Sequence, residues 1–392
     1  MTSDLKFPNP ISPTPDDKRW MRLALLMAAR AQGRTAENPP VGCALVSKDG
    51  LLLATGMTGR GGRPHAEQFA LDKCKNFPER LIGASAYVTL EPCAHHGQTL
   101  PCAEALLAAG IGRVVYSMGD PDSRVDGRGH AILEQAGISV EAGLLQDKSH
   151  DIMAGFLTSQ SQRRPAFTSK TALSADGFIA KQHGQQTWLT GASAKTFVHD
   201  LRSRHDGILT GIDTILSDNP QLNCRLAGDG GDSPVRLVMD SRLQLPLACN
   251  LVQTAKKVNV LVFTRPDCDT AHRQALETAG VQVILCEHIK GGRPHPEFVA
   301  DFCWQMGIYS ILLEAGARLN KAFFEAGLVD KIVEIIAPKI LQSGYAGYSP
   351  SQISQPSMAF AAGEDYIKSS AQTLAEDKLI IWHRKDIYPS GT

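Results

Sequence analysis

Two unrelated α/β domains in tandem are the fold class that this sequence predicts. Three observations lead to it. Short apolar segments alternate with longer stretches at helical spacing, the pattern of strands and helices stacked in layers. The 392 residues suffice for two or three domains of roughly 150 residues each. The periodicity fades over 145–165, where Ser161-Gln162-Arg163-Arg164-Pro165 closes a polar stretch, and a different alternating series then begins.

Taken in order, residues 1–13 carry Pro8, Pro10 and Pro13 without periodicity and are expected as a loose arm. Thr14 caps a helix that Pro15 opens, with Asp16 and Asp17 in the first turn, where the helix dipole favours acids. Trp20, Ala24, Met27, Ala28 and Ala31 recur at helical spacing until Gly33 ends the run. Strands at 41–46 and 51–56 flank Lys48-Asp49-Gly50, a hairpin turn signal. A helix starts near His65, a strand follows at 85–90, a helix at 102–109 closed by Gly110, and a strand at 113–117. Helix 131–136 and strand 138–141 repeat the unit, so largely parallel strands are expected. In the second series, strands are expected at 235–239, 258–263, 281–285, 311–313 and 332–336. Helices fall near 270–279, 297–306 and 318–326, and 366–370 with 379–382 suits a closing hairpin. The expected organisation is thus an arm at 1–13, a first domain at 14–147, a linker at 148–164 and a second domain at 165–392.

Composition narrows the function classes. Lys plus Arg and Asp plus Glu each total 40, so the formal net charge is zero, without the basic excess of a nucleic-acid binder. No run approaches the ~20 apolar residues that span a bilayer. The best apolar run near the N-terminus, 23–29, follows acids and prolines instead of a basic segment, so no signal peptide is expected. Nine scattered cysteines fit free thiols in a reducing compartment, with a metal site among them, better than a disulfide framework. The expectation is a cytoplasmic homo-oligomer acting on a small molecule, with neither nucleic acid nor membrane as partner.

The chemistry of the first half rests on Pro64-His65-Ala66-Glu67, followed by Glu91-Pro92-Cys93 and Pro101-Cys102. His-x-Glu followed by Pro-Cys and a second Cys is the signature of zinc nucleobase deaminases. One imidazole and two thiolates hold Zn²⁺ and leave a fourth tetrahedral position for water, whose pKa the metal lowers towards neutrality. Glu67, two residues past His65, is the candidate shuttle that takes the proton from water and delivers it to the ring nitrogen and the leaving ammonia. Taken singly, each residue has a plainer reading, since a lone Cys is usually buried filler and a lone His a satisfied polar group. Eight residues separate Cys93 from Cys102 where two are usual, and His95 and His96 lie among them, so the ligand set is open at this point. The string Gly291-Gly292-Arg293-Pro294-His295-Pro296-Glu297 nearly repeats 61–67, but only Cys303 follows it. It reads as a helix entry, and it shows that the cysteines, not His-x-Glu alone, carry the inference.

Together with Asn38-Pro39-Pro40-Val41-Gly42, the run Thr89-Leu90-Glu91-Pro92-Cys93-Ala94-His95-His96-Gly97-Gln98-Thr99-Leu100-Pro101-Cys102 resembles the bifunctional riboflavin-biosynthesis deaminase/reductase family. The wide cysteine spacing with His-His-Gly is what separates that family from cytidine and tRNA adenosine deaminases. The resemblance covers nearly the whole chain after the arm. It implies a cytidine-deaminase-like α/β/α domain followed by a dihydrofolate-reductase-like α/β domain. The first would remove the 2-amino group of 2,5-diamino-6-ribosylamino-4(3H)-pyrimidinone 5′-phosphate, and the second would reduce the ribosyl group to ribityl with NADPH. It also implies His65, Cys93 and Cys102 as zinc ligands, Glu67 as shuttle, Asn38 on the pyrimidine edge, and His95 and His96 as pocket lining.

The second half has no Gly-x-Gly-x-x-Gly after a strand, so a Rossmann dinucleotide site is not supported. Glu314-Ala315-Gly316-Ala317-Arg318 ends a strand and opens a helix, where backbone amides favour a phosphate, although such joints are common. Thr210-Gly211-Ile212-Asp213-Thr214-Ile215-Leu216-Ser217-Asp218-Asn219-Pro220-Gln221-Leu222-Asn223-Cys224-Arg225, and Ser174-Ala175-Asp176-Gly177 followed by Trp188, are similar to the reductase signatures of the same family. The resemblance implies NADPH contacts from Ala172, Trp188, Thr214, Asp218, Ser241 and Gly316. It implies substrate contacts from Gln186, Arg202, Leu222, Arg225 and Glu314, the two arginines suiting a phosphate. Gln186 departs from the family's usual Ser, which puts its hydrogen bond in doubt. Glu314 would assist a proton step or bind a hydroxyl. Two other readings compete with this one: a nucleic-acid base editor, which the neutral charge disfavours, and a non-catalytic zinc scaffold, which requires a fourth protein ligand from His95, His96 or Glu67.

Overall fold

The computed structural model describes residues 14–95, 100–120, 127–181, 187–226, 232–287, 289–346 and 365–385. The chain divides into two compact units, Met1–Gln162 and Arg163–Thr392. The expected arm at 1–13 lies outside the described residues.

Unit 1 runs α1 (Pro15–Ala31), β1 (Gly42–Val46), β2 (Leu52–Met57), α2 (Ala66–Cys74), β3 (Ser85–Val88), α3 (Cys102–Ala108), β4 (Arg113–Tyr116), α4 (Arg128–Gln135), β5 (Ser139–Ala142), α5 (Gln146–Ile152) and α6 (Ala154–Gln162). The strands form one sheet in the order β2-β1-β3-β4-β5. β1 is antiparallel to β2 and β3, whereas β3, β4 and β5 are parallel. All five residues of β1 are buried, because alternate side chains enter two different cores. Cys43 and Leu45 join Ala70 of α2 and Leu106 of α3 on one face. Ala44 and Val46 join Met21 and Ala24 of α1 on the other. The result is an α/β/α sandwich with α2 and α3 side by side on one face.

α1 starts as its sequence dictates. Asp17 N–H donates to Thr14 Oγ1 at 3.1 Å, and Asp17 Oδ2 accepts from Thr14 N–H at 3.0 Å, a closed capping box. The other oxygen of this carboxylate reaches into the core. Asp17 Oδ1 accepts from Tyr87 Oη at 2.7 Å and Arg113 Nη1 at 2.6 Å, while Arg113 Nε reaches Glu141 at 2.7 Å. One buried acid thereby ties α1 to β3, β4 and β5.

The segment read as a linker at 148–164 is largely helical here, with α5 and α6 filling 146–162 within the first unit. Its mixed polarity disguised it: Gln32 of the α1 cap donates to the Ile152 carbonyl at 2.8 Å, and Met153 is fully buried. A few anchors hold these helices where a continuous apolar stripe would have been legible.

Unit 2 runs β6 (Ala166–Leu173), β7 (Phe178–Ala180), α7 (Ala192–Ser203), β8 (Gly207–Gly211), α8 (Ile212–Asp218), β9 (Val235–Met239), α9 (Asn250–Gln253), β10 (Val260–Thr264), α10 (Thr270–Thr278), β11 (Gln282–Leu285), β12 (Ile289–Lys290), β13 (Arg293–Pro294), α11 (Pro296–Gln305), β14 (Ser310–Leu313), α12 (Ala317–Glu325), β15 (Val329–Ile336), β16 (Tyr345–Ala346), β17 (Tyr366–Leu374) and β18 (Asp377–Arg384). Its main sheet has nine strands in the order β11-β10-β9-β8-β14-β6-β15-β18-β17. Strands from β11 to β15 are parallel, and β18 and β17 close the edge antiparallel. Val238, Val262 and Leu312 face Leu201 of α7 and Leu276 of α10, whereas Leu237, Phe263 and Leu313 face Val299 of α11 and Phe323 of α12. β6, α7 and β8 are additions to the expected elements. β6 lies inside the sheet, beside its middle strand β14, yet it reads Ala-Phe-Thr-Ser-Lys-Thr-Ala-Leu because its polar side chains have buried partners. Thr168 meets His205 at 3.0 Å and Ser169 donates to Asn320 at 2.8 Å.

Asp17→Asn is expected to cost unit 1 roughly 2–3 kcal/mol, because it leaves Arg113 without its buried partner. Burial alone would raise this carboxyl, but Arg113, Tyr87 and Thr14 hold it well below its ordinary 3.8. The contribution is therefore full above about pH 5 and is lost as pH falls through the acid range. Hydrogen exchange of residues 14–162 against urea, at neutral and acid pH, measures both effects.

Candidate functional site

Three elements of unit 1 bring the predicted ligands together. His65 is the N-cap of α2, with extended backbone. Cys102 is the first residue of α3, following Pro101 at its cap. Cys93 lies in the loop after β3, and its Sγ accepts from Cys102 N–H at 3.3 Å. His65 Nδ1 stands 3.3 Å from Cys102 Sγ and 3.6 Å from Cys93 Sγ. Tetrahedral zinc, with Zn–N of about 2.0 Å and Zn–S of about 2.3 Å, places such atoms roughly 3.6 Å apart. The donor set and its spacing fit that ion. All three donor atoms lie within 4.8 Å of one another, and no fourth His, Cys, Asp or Glu joins them among the described residues. Three protein donors with an open position are the arrangement of a catalytic centre, not of a closed structural one. His95 stays outside the cluster, with Nδ1 buried and unpartnered. His96 lies outside the described residues.

The surroundings fix this geometry. Glu91, buried at the start of the Cys93 loop, accepts from Gly127 N–H and His130 N–H at 3.1 Å each, at the N-terminus of α4. A Cβ at Gly129 would sit 1.9 Å from the Pro92 carbonyl, so α4 approaches the loop as closely as backbone allows. Asn38 packs against Gly62, just before the His65 turn; a Cβ there would lie 2.0 Å from the Asn38 side chain, and Gly62 has φ +91°. Glu67 is buried within the first turn of α2. Burial, then the Cys93 charge, pushes its carboxyl up to about 7. Cys93 is brought down to about 4 by hydrogen bonding from Cys102 and His65, against its burial. It is therefore a thiolate at neutral pH, the form that ligates metal.

In unit 2 a cavity of about 800 Å³ opens beside α7, α8 and the carboxyl ends of β6 and β14. Of the residues expected to contact NADPH, Ala172, Trp188, Thr214, Asp218 and Gly316 line it, as do the substrate candidates Arg202, Leu222, Arg225 and Glu314. Ser241 does not line this cavity; it lies in the turn after β9. Gln186 lies outside the described residues. Trp188 is 63% exposed, with Lys195 Nζ 4.3 Å from its ring centroid. Gly316 is the N-cap of α12, as the strand-to-helix reading requires.

Lys170, on β6, is the residue that the sequence reading missed. Its Nζ lies 3.0 Å from Glu314 Oε2, while Arg202 Nε and Nη2 reach the same carboxylate at 2.6 and 3.0 Å. Burial works to raise Glu314, but Lys170 and Arg202 outweigh it and hold the carboxyl well below the usual range. A lysine in a buried strand without an apolar pattern was the available signal. The 219–225 loop has its own supports. Asn219 and Leu222 adopt φ of +41° and +49°. Asn219 Oδ1 accepts from Asn250 N–H at 2.8 Å, and Arg236 Nη1 donates to the Gln221 carbonyl at 3.4 Å. Asp176, in the turn after β6, accepts from the amides of Leu341 and Gln342 at 3.1 and 2.7 Å, a role in shaping the turn. The second Gly-Gly-Arg-Pro-His string places His295 at the N-cap of α11, a helix entry as expected.

Comparison with known proteins bears on both units. Residues 14–118 match the cytidine and deoxycytidylate deaminase zinc-binding region, and 165–362 match the RibD C-terminal domain. The riboflavin biosynthesis protein RibD of Actinobacillus pleuropneumoniae is 40% identical over 328 residues, covering 84% of this chain and 85% of the relative. That of Escherichia coli is 38% identical over 345 residues, with 84% and 90% covered. Among solved structures, Acinetobacter baumannii RibD superposes with TM-score 0.77 at 34% identity, over 94% of this chain and 99% of that one. A Thermotoga maritima diaminohydroxyphosphoribosylaminopyrimidine deaminase/5-amino-6-(5-phosphoribosylamino)uracil reductase gives 0.79 at 29% identity over the same shares.

The donor cluster predicts stoichiometric zinc in the purified protein. Cys93→Ser or His65→Ala is expected to lower the content below half, and Cys43→Ser, buried outside the cluster, to leave it unchanged, as measured by elemental analysis.

Proposed function

The chain belongs to the RibD family of bifunctional deaminase/reductases in riboflavin biosynthesis, and from that premise we propose how its residues divide the two reactions. The observation that carries the first assignment is the three-donor cluster with buried Glu67 beside it. Zinc held by His65, Cys93 and Cys102 supplies a Lewis acid that makes water nucleophilic near neutral pH. Glu67 would take a proton from that water on a carboxylate oxygen and deliver it to the pyrimidine ring nitrogen, and would then carry the second proton of the added oxygen to the departing amine. Its burial favours this work, since a carboxyl raised to about 7 both accepts and returns a proton near neutrality. Asn38 orients the pyrimidine edge. The substrate of this reading is 2,5-diamino-6-ribosylamino-4(3H)-pyrimidinone 5′-phosphate.

The cavity in unit 2 supports the second reaction, reduction of the ribosyl group. NADPH supplies the hydride, and the protein positions and polarises. Trp188, Thr214, Asp218 and the Gly316 turn line the cavity and are the residues that would hold the cofactor. Glu314, ionised between Lys170 and Arg202, acts as an acceptor for a ribosyl hydroxyl, and Lys170 is the adjacent group with a proton to give.

Glu67→Gln is expected to lower ammonia release by at least a hundredfold while zinc content stays stoichiometric; deamination at the normal rate would remove Glu67 from its role. Arg225→Ala is expected to impair NADPH oxidation and spare ammonia release, measured side by side on the pyrimidinone substrate. Loss of both activities together would contradict the division of labour between the units.

A further inference from the structure

His199 projects from α7 into the cavity wall, one turn before Arg202. The two arginines expected to share the phosphate are not equivalent. Arg202 gives Nε and Nη2 to Glu314, and its Nη1 donates to the Asn223 carbonyl at 3.3 Å. Its guanidinium is turned onto Glu314, which Lys170 also faces. Arg225 is exposed, and its hydrogen-bond partners are uncharged: Nη1 donates to Gln221 Oε1 at 3.0 Å, and Nη2 meets His199 Nε2 at 3.4 Å. That contact points an N–H at Nε2, so Nε2 carries the lone pair and Nδ1 the hydrogen. Nδ1 is shut off from solvent and has no hydrogen-bond partner among the described residues.

A phosphate monoester carries nearly two negative charges at neutral pH. Seated on Arg225 alone, it would keep one of them uncompensated. The remaining charged groups do not close that gap: among the described residues lining the cavity, Lys170, Lys195 and Arg202 stand against Glu314, Asp213 and Asp218, three cations against three carboxylates. We propose that His199 is a phosphate-binding residue of the reductase cavity, taking up a proton at Nε2 when the substrate's phosphate binds and donating it, beside Arg225, to a phosphate oxygen. The inference rests on the reading of this cavity as a site for a ribosyl phosphate.

The charged groups facing His199 are Arg202 on its own helix, Arg225 from the loop after α8, and Glu314 from the end of β14. Burial and then the two guanidinium groups hold the imidazole below its ordinary 6.5, so it is neutral before the anion arrives. A dianion at Arg225 reverses the sign of the nearest charge and favours the imidazolium. The proton comes from solvent, and substrate affinity therefore falls as pH rises.

Steady-state NADPH oxidation by the full-length enzyme tests this, with the deaminated ribosyl phosphate and its dephosphorylated analogue as substrates. In His199→Gln, KM for the phosphorylated substrate is expected to rise roughly tenfold, with kcat little changed and no effect on the dephosphorylated analogue. Wild-type KM is expected to climb as pH rises through neutrality, and the variant to lack that climb. Ammonia release and thermal unfolding report whether the variant is folded. An unchanged KM, or a pH trend that survives in the variant, overturns the proposal. Calorimetric titration of the wild type with inorganic phosphate, in two buffers of different ionisation enthalpy, gives a second readout. Proton uptake supports His199, and its absence overturns the role. If the wild type fails to reduce the ribosyl phosphate at all, the functional reading falls, and the phosphate titration still decides His199.

Discussion

The deaminase unit is organised around two helix starts held side by side. His65 caps α2 and Cys102 opens α3, with Nδ1 and Sγ 3.3 Å apart. The burial of β1 on both faces places α2 and α3 on one side of the sheet and α1 on the other. Glu91 then anchors the Cys93 loop to the start of α4, and the third donor is fixed without a strand or helix of its own. The donors are thus preorganised by sheet packing, and a metal arriving there meets them near their tetrahedral spacing. The same burial tunes Glu67. A carboxyl inside the first turn of a packed helix is raised by desolvation towards the pH at which it must work.

Much of this was legible in the sequence because the chemistry is local in sequence. His65 and Glu67 share one turn, and Cys93 and Cys102 bracket one loop, so residue type and order pointed to a zinc site, while the choice of ligands over His95 and His96 came from the family resemblance. The α/β class was legible too, since strands such as Val260–Thr264 are continuous apolar runs. The failures have a common physical cause. β6 and the helices α5 and α6 are held by scattered polar and single apolar contacts, not by a stripe or an alternation. Lys170 was missed for that reason. Its partner Glu314 lies 144 residues along the chain, and no spacing rule links the two.

Electrostatics in the reductase unit follow a different plan from those beside the metal ligands. Glu67 is a buried acid raised by desolvation and the Cys93 charge, whereas Glu314 is a buried acid lowered by two cations. One carboxyl is therefore suited to trading a proton and the other to holding a fixed negative charge. Arg236 adds a third solution: a buried guanidinium whose Nη1 and Nη2 donate to Thr254 Oγ1 and the carbonyls of Gln221, Thr254 and Val258, with no carboxylate among these partners and with Nε left unpartnered among the described residues. Through Gln221, that core cation supports the loop that presents Arg225.

The polar character of β6 has a consequence for how the molecule reaches its own fold. Thr168, Lys170 and Ala172 face one side of the sheet, Phe167 and Ser169 the other, and the polar ones meet designated partners in His205, Glu314 and Asn320. A slip of one position would turn each side chain to the opposite face, stranding a lysine among Phe323 and Leu313 and leaving Glu314 short of a cation. An all-aliphatic central strand would tolerate such a slip more readily. Lys170, which lines the reductase cavity, thus joins Thr168 and Ser169, which do not, in an alignment key for an interior strand of the nine-stranded sheet. The demands of turnover and of correct assembly meet at Lys170, so an apolar residue there would forfeit both at once.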